Sequence, residues 1–493
     1  MKLLFSLFLT LLFIGCGEKS GSSYEEDPLK KDQWYLDGTK DGYIDINLQN
    51  SFYKGRGILV AIVDNGIDIY HEDLKDNIGI GSYSYLTEEY SFTDANHGTC
   101  CAGIIAGVEG NGKGIRGIAS QAKIIGYNAL KAPSISNIAD AFVRNKEKVS
   151  VSNNSWGDFN SWGEPLSLRS IEEEALKDGV KYGRNGKGVI YVFSAGNGSS
   201  NENSLPTDNV NYSGLVNNRY TIPVGAVDEF GKKAHYSEIG ATLIVVAPSK
   251  GSIEGAGIVT TDVTGNKGYN PETFPNDYED HNYTKNFSGT SASAPIVSGA
   301  VALILEANPN LSWRDVRIIL AQSATKNDIE DSDWSINGAN LYINHKYGFG
   351  LINVKKAINL AINWINISEE KIIEKSQDVN ISIPDNNDRG ISDIINIKQN
   401  ISIEFIDIYF NAKDHQRLGD LEITLKSPYG TKSILAQKHG EAFEGSFRYN
   451  NWRFGTIRHL NEYSKGEWKL IVKDLREDNN GTFISWGLKF YGH

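Results

Sequence analysis

Two rhythms of apolar and polar residues divide the chain. Ile58–Val63 is an unbroken apolar run, mostly β-branched, of the kind a parallel strand covered on both faces requires. Similar runs recur at Val189–Phe193, Thr221–Val227 and Leu243–Ala247. Between them, Ser167–Tyr182 is rich in Glu, Leu, Ala and Lys and reads as a helix. Ala292–Glu306 reads as a helix of small and apolar residues, and Leu311–Gln322 as one started by Ser312 as N-cap. Strand alternating with helix predicts an α/β domain with a parallel sheet. Near residue 370 the rhythm changes to short alternating strands: Asn380–Pro384, Ile401–Phe410, Leu421–Ser427, Trp468–Asp474 and Phe483–Tyr491. Turn residues separate them, which predicts an all-β sandwich or barrel. The expected division is an α/β domain over 27–365 and a β domain over 366–493.

The first residues have a third pattern. Lys2 precedes an apolar run, Leu3–Ile14, too short for an ordinary transmembrane helix and read as a signal peptide over 1–15. It ends in Phe13-Ile14-Gly15-Cys16, which resembles a bacterial lipobox, cut before a Cys that is then lipidated. Cleavage elsewhere, with Cys16 incidental, is the alternative. Residues 16–26 are polar and read as a flexible tether. Gly17 rather than Asp after the Cys suggests, by the same resemblance, the outer membrane, and the expected place is the outer membrane or periplasm. No other segment has about 18 apolar residues in a row, so the remainder is expected to be soluble.

Composition narrows the partners. Of 493 residues, 49 are Lys or Arg and 61 Asp or Glu, for a net charge of −12. This balance lacks the basic footprint of a nucleic-acid binder and suits cations or basic partners. The three cysteines are Cys16, Cys100 and Cys101. One distant Cys and an adjacent pair draw no disulfide framework. A bond between neighbours would be strained, so two thiols are expected.

Three segments carry candidate chemistry. Val63-Asp64-Asn65-Gly66-Ile67-Asp68 places an Asp at the carboxyl end of a buried strand. His97-Gly98-Thr99 opens a helix, and Phe287-Ser288-Gly289-Thr290-Ser291-Ala292-Ser293-Ala294-Pro295 opens another. A Ser hydroxyl becomes a nucleophile when a His takes its proton, and a carboxylate fixes the His tautomer and stabilises its charge. A helix N-terminus at Ser291 adds a favourable dipole for a developing oxyanion.

With Ser194-Ala195-Gly196-Asn197-Gly198, this ordered set resembles the subtilisin superfamily over about Asp27 to Ile358. The resemblance implies a parallel sheet with helices on both faces. It makes Asp64 the orienter, His97 the general base, Ser291 the nucleophile and Asn197 the oxyanion donor. It also makes Ser155-Trp156-Gly157 the backbone that pairs with substrate and walls the S1 pocket. The lead-in Asp27-Pro28 and Gln33-Trp34-Tyr35-Leu36, and Cys101 beside the catalytic His, resemble the kexin (proprotein-convertase) branch. The tail resembles its P domain (homoB), a β-sandwich, through Gly419–Thr431, Gly466–Leu470 and Gly481–Leu488. A carbohydrate-binding sandwich is the alternative for this tail.

By the same resemblance, a Ca²⁺ site would use Asp27, Asp73 and Asn111, with carbonyls of Val108, Lys113 and Ile115, hard oxygen donors suited to that ion. Capping and turn roles are the alternative for Asp73 and Asn111. A second site would use Glu238, with Asn160 and Asn203 standing where acids are expected. Branch members cleave after Lys or Arg. Asp208 matches one acidic S1 position, Asp158 lies near the other, and Asn65 replaces the acid that favours a basic P2 residue. Solvated loop acids are the alternative for Asp158 and Asp208. Only ten residues separate Cys16 from Asp27, with no room for an in-chain propeptide, so folding is expected to be unaided or to use a separate chaperone or inhibitor protein. The expected protein is a lipid-anchored, calcium-dependent serine endopeptidase acting on proteins or peptides in a bacterial cell envelope. Its rival is a non-catalytic surface binding protein on a degenerate protease fold.

Overall fold

The computed structural model describes residues 25–38, 42–49, 51–86, 95–157, 163–199, 208–440 and 449–493. The signal run, Cys16 and most of the tether lie outside them, as do Asp158, Asn160 and Asn203. In the first domain, β1 (Leu59–Val63), α1 (Asn96–Ala106), β2 (Lys123–Tyr127), α2 (Ile135–Val143) and β3 (Val151–Asn154) are followed by α3 (Ser170–Gly186), β4 (Ile190–Ser194), β5 (Thr221–Val227) and β6 (Val245–Pro248). A hairpin, β7 (Ile258–Thr261) with β8 (Tyr283–Phe287), leads to α4 (Thr290–Ala307) and α5 (Trp313–Ser323). A minor ribbon of β9 (Ser335–Ile336) and β10 (Tyr342–Ile343) precedes α6 (Val354–Ile362).

The central sheet is wholly parallel, in the order β2-β1-β3-β4-β5-β6. Both faces are covered, which explains the unbroken apolar strands. Val60 and Ile62 of β1 join the core shared with α1, α4 and α6, while Ala61 and Val63 join the core shared with α2 and α3. Helix α4 lies in the first of these cores. It is long and apolar enough to cross a membrane, yet 83% of it is buried inside the protein, so its apolarity serves packing. Helix α5 starts as the sequence indicates: the Ser312 hydroxyl accepts from Asp315 N–H, and the Asp315 carboxylate accepts in return from Ser312 N–H.

After α6 come β11 (Lys371–Ile383), β12 (Asn387–Ile397), β13 (Ile403–Lys413), β14 (Leu421–Lys426), β15 (Lys432–Ala436), β16 (Trp452–Thr456), β17 (Gly466–Asp474) and β18 (Gly481–Gly492). They form two antiparallel sheets, β11-β18-β13-β16 and β12-β17-β14-β15, closed over a core including Ile395, Ile408, Phe410, Leu421, Trp468 and Trp486. Strand β11 is longer than the predicted Asn380–Pro384, and β12 is not predicted at all, because most of their residues are exposed and carry little alternation.

The sandwich docks on the first domain through buried polar contacts. Asn211 Nδ2 donates to Gly455 O (2.8 Å), and Gly455 N–H donates to Asn217 Oδ1 (2.7 Å). Arg314 Nε meets Glu404 Oε2 at 2.8 Å, and Arg219 pairs with Glu370.

Candidate active site

Asp64 directly follows β1 and is fully buried; its N–H donates to Tyr127 O on β2 at 2.9 Å. His97 stands in the first turn of α1, with its Nδ1 at 2.9 Å from both carboxylate oxygens of Asp64. Between these elements, Asn65 Oδ1 accepts from Gly98 N–H at 3.0 Å and Asn65 Nδ2 donates to Asn96 Oδ1 at 3.0 Å. Asn65 therefore braces the His-bearing turn against β1. Gly98 is obligatory there, since a Cβ would lie 1.9 Å from Gly66 O. Burial disfavours the charged imidazole, but the Asp64 charge and hydrogen bond outweigh it, so the His97 pKa rises above its usual 6.5.

Ser291 is the second residue of α4. Gly289, before the helix, has φ of +81°, a conformation suited to glycine. Its N–H donates to the Tyr236 hydroxyl (3.1 Å) and its carbonyl accepts from Ser249 Oγ (2.9 Å). The Ser291 hydroxyl donates to Ser155 O at 3.0 Å rather than to His97, and Ser155 Oγ donates back to Ser291 O at 3.0 Å. Asn197, after β4, turns its Oδ1 to Thr290, accepting from N–H (3.0 Å) and from Oγ1 (2.9 Å).

Trp156 is pinned to the sheet: its Nε1 donates to Val63 O at 2.8 Å, and its ring stacks on Phe142 and meets Phe193 edge-on. That fixes the backbone of Ser155–Gly157. Beside it lies a cavity lined by Gly157, Ala195, Gly196 and three carboxylates, Glu164, Asp208 and Glu238. Asp208 and Glu238 converge on Gly198, whose N–H donates to Glu238 Oε1 at 3.0 Å. Sequence reasoning did not name Glu164, which follows the 155–157 stretch without any local motif. The open space is about 20 Å³, enough for a water or a single ion. Tyr212 closes the rear, and His439 of the sandwich packs on its ring at 4.9 Å while bonding Gly163 O at 3.1 Å.

Comparison with known proteins agrees with this geometry. Residues 55–350 match the model of the subtilase family, and residues 410–490 that of the proprotein convertase P-domain. The chain belongs to the subtilase family. Among curated relatives, an endoprotease of Onchocerca volvulus is 32% identical, with 94% of this chain and 67% of that protein aligned. Furin of Rattus norvegicus is 30% identical over 95% of this chain and 58% of its own length. The chain thus spans roughly three fifths to two thirds of these relatives. The crystal structure of the serine protease of Aeromonas sobria superimposes with a TM-score of 0.86 at 27% identity, covering 98% of both chains. The same protease in complex with its chaperone gives 0.85, covering 95% of both. The subtilase part is a serine endopeptidase domain of the kexin-like convertase kind, joined to a P domain.

In this subtilase Asp27 and Asp73 are buried on either side of the 108–115 segment. Asp27 Oδ1 accepts from Gly110 N–H (2.9 Å) and Asn111 N–H (3.1 Å); Asp73 Oδ2 accepts from Ile115 N–H (2.9 Å). Val108 N–H donates to Asp73 O at 3.0 Å. Asn111 points its Nδ2 at Asp73 Oδ1 (2.9 Å), and its Oδ1 accepts from Lys113 N–H (2.9 Å). Burial pushes the Asp73 carboxyl up to about 8, with Asp27 and Glu72 adding to the rise against its hydrogen bonds. Two buried carboxylates with raised pKa values suit a divalent cation by charge and donor type, although here their oxygens accept from N–H groups of Gly110, Asn111 and Ile115. Ligation by Asn111 would require its amide to turn over, presenting Oδ1 to the site.

The subtilase's cysteine pair lies under the catalytic turn. Cys100 and Cys101 are both free and buried, and burial pushes both thiols well up. The Cys101 sulfur, a His97 ring nitrogen and an Asp64 carboxylate oxygen lie within 4.8 Å of one another.

Proposed function

We propose that this protein is a calcium-dependent serine endopeptidase whose triad is Asp64, His97 and Ser291. The single observation that carries the reading is the Asp64–His97 pair at 2.9 Å beside a Ser at the start of a buried helix. Ser291 Oγ attacks the scissile carbonyl while His97 Nε2 takes its proton, and the Nδ1–H held by Asp64 fixes the tautomer. With its Oδ1 anchored, Asn197 presents Nδ2 to the oxyanion. His97 then protonates the leaving amine, and water hydrolyses the acyl-enzyme by the reverse relay. In the resting arrangement the hydroxyl rests on Ser155 O. A substrate strand pairing with that backbone takes over the carbonyl and frees the hydroxyl to turn to His97.

Asp27, Asp73, Asn111 and the carbonyls of Val108, Lys113 and Ile115 would hold calcium, which would supply charge neutralisation for the buried acids. The resident role is structural. A basic P1 residue is proposed from the acids of the pocket, Asp208 with Glu164 and Glu238, and Asp158, near the second family position in sequence, remains a candidate. The small open space favours a second reading for Glu238, as a ligand of a single cation; a Lys or Arg side chain enters only if the pocket widens. Export, lipidation at Cys16, a place in the bacterial envelope and a separate folding chaperone are proposed as well. The last is supported by the Aeromonas neighbour crystallised with one.

The test is labelling by a fluorophosphonate. Wild type with calcium should label and Ser291→Ala should not; absence of labelling in folded wild type removes the enzyme reading in favour of a binding protein. Peptide-library cleavage reads P1, and fatty-acid labelling of wild type against Cys16→Ser reads the anchor.

A further inference from the structure

The 262–282 segment between β7 and β8 is long for a hairpin connection, yet it is tightly built. Asp262, fully buried, is its hub: its carboxylate accepts from Val263 N–H (2.8 Å), Tyr269 N–H and Asn270 N–H (2.8 Å). Gly268 packs against that carboxylate so closely that a Cβ would lie 2.1 Å from Oδ1. Asn270, also buried, donates from Nδ2 to Tyr278 O and Tyr283 O, and Thr264 bonds Asp68 through both N–H and Oγ1. The root of the segment is fastened to the helix that carries His97. Thr260 Oγ1 donates to Cys100 O (2.6 Å) and Thr261 Oγ1 to Thr99 O (2.7 Å).

Tyr269, held between Gly268 and Asn270, is 41% exposed. Its ring meets that of buried Phe287 at 5.7 Å, and Phe287 meets the His97 ring at 5.5 Å. Ring contacts thus run from His97 through Phe287 to Tyr269, while the acid-lined cavity adjoins the 155–157 backbone on which the Ser291 hydroxyl rests. The acyl half of a bound peptide lies over the cavity and its leaving amine faces His97, so the chain beyond the scissile bond continues past His97 towards the two rings. We infer that Tyr269 is a specificity-determining residue for the leaving-group side of the substrate, forming a rigid aromatic wall that selects apolar or aromatic side chains at the first positions after the cut.

Nothing in the triad or the P1 pocket requires an exposed aromatic ring here. A ring whose flanking backbone is pinned loses little entropy on contact with a ligand, so it discriminates where a loose loop residue would not. The inference rests on the endopeptidase reading. The test is cleavage of a peptide library by enzyme titrated with a fluorophosphonate, with cut sites read by mass spectrometry. The readout is the kcat/KM ratio for Phe or Leu over Gly at the first two leaving-group positions. Wild type should show a ratio on the order of ten, Tyr269→Ala should abolish most of it and Tyr269→Phe should retain it. Tyr269→Leu, a second apolar variant, should keep part. A ratio unchanged in Tyr269→Ala, or a change confined to residues before the cut, overturns the inference while leaving the endopeptidase reading intact. Wild type that neither labels nor cleaves overturns both.

Discussion

Thr290 grips the side-chain oxygen of Asn197 with both its backbone N–H and its hydroxyl, at 3.0 and 2.9 Å. An amide held twice by its oxygen can only offer its nitrogen to the cleft. The orientation of Asn197, the proposed oxyanion donor, is thus set by the residue adjoining Ser291. Asn197→Ala should lower kcat on the order of 100- to 1,000-fold with a small change in KM. Thr290→Val removes one of the two grips, about 1 kcal/mol, and should lower kcat several-fold. A raised KM with kcat unchanged would indicate that Asn197 binds ground-state substrate instead.

The Asp64–His97 pair sets the pH profile. His97 acts as base only when neutral, and its pKa lies above 6.5. The acid limb of kcat/KM should therefore fall above pH 6.5 and move down in Asp64→Asn, together with a kcat loss on the order of 10,000-fold. The sign for stability is the opposite. A raised folded pKa stabilises fully below the unfolded value of 6.5, and the contribution fades as pH rises through the folded value. Thermal melts of wild type against Asp64→Asn across that window check it.

Calcium should raise the melting temperature of the subtilase. Binding to the folded state alone is worth about 2.7 kcal/mol at a hundredfold excess over Kd, or roughly 3–5 °C for a domain of this size. Asp27→Asn and Asp73→Asn should each lose most of this response in melts run with calcium and with chelator. A full response in both variants would place the ion elsewhere, with the Glu238 cluster as the next site to change.

The domain seam should be acid-sensitive. Burial favours the neutral Glu404 carboxyl, but Arg314 and His493 outweigh it and hold its pKa below the usual 4.5. A depressed folded pKa stabilises above 4.5, and the contribution is lost as pH falls through the folded value. Glu404→Ala leaves the half-buried Arg314 with only Ser368 O and the more distant Glu370, and should cost about 1–3 kcal/mol; replacing both by Leu should cost less. Urea unfolding of wild type and the two variants at pH 7 and pH 4 separates the two effects.

Soft metal ions should inhibit through the Asp64, His97 and Cys101 cluster, whose ligand atoms lie within 4.8 Å of one another. Cys101→Ser should become markedly less sensitive to Cd²⁺ or Zn²⁺. Alkylation of the wild-type thiols should be slow, because both are buried and protonated. Equal metal sensitivity in Cys101→Ser would exclude the thiol as a ligand.

The proposed triad positions stand out in the sequence because each sits in a short string whose glycines and small residues are demanded by close approach, as Gly98 shows against Gly66 O. The apolar strands β1, β4, β5 and β6 were legible for the same kind of reason, burial on both faces. Strand β3 was not. It reads Val-Ser-Asn-Asn, fully buried, and its polarity is absorbed by contacts such as Ser298 Oγ to Asn153 Oδ1 at 2.8 Å, which no periodicity announces. Glu164 joins Asp208 and Glu238 only through the fold, and Tyr269 reaches His97 only through Phe287. Both depend on long-range packing that has no local spacing.

The arrangement of β18 bears on synthesis. This strand, residues 481–492, pairs on one edge with β11 and on the other with β13. It is the last strand of the sandwich in chain order and lies inside its sheet. While a ribosome is still extending the chain, β11 and β13 have no partner between them, and the seam residues Glu370 and Glu404 have no finished sandwich to present to the peptidase domain. The peptidase domain therefore emerges from the ribosome, and crosses a membrane if it is exported, before its docking partner can exist. For that interval its exposed seam is what a holdase or chaperone would find to bind.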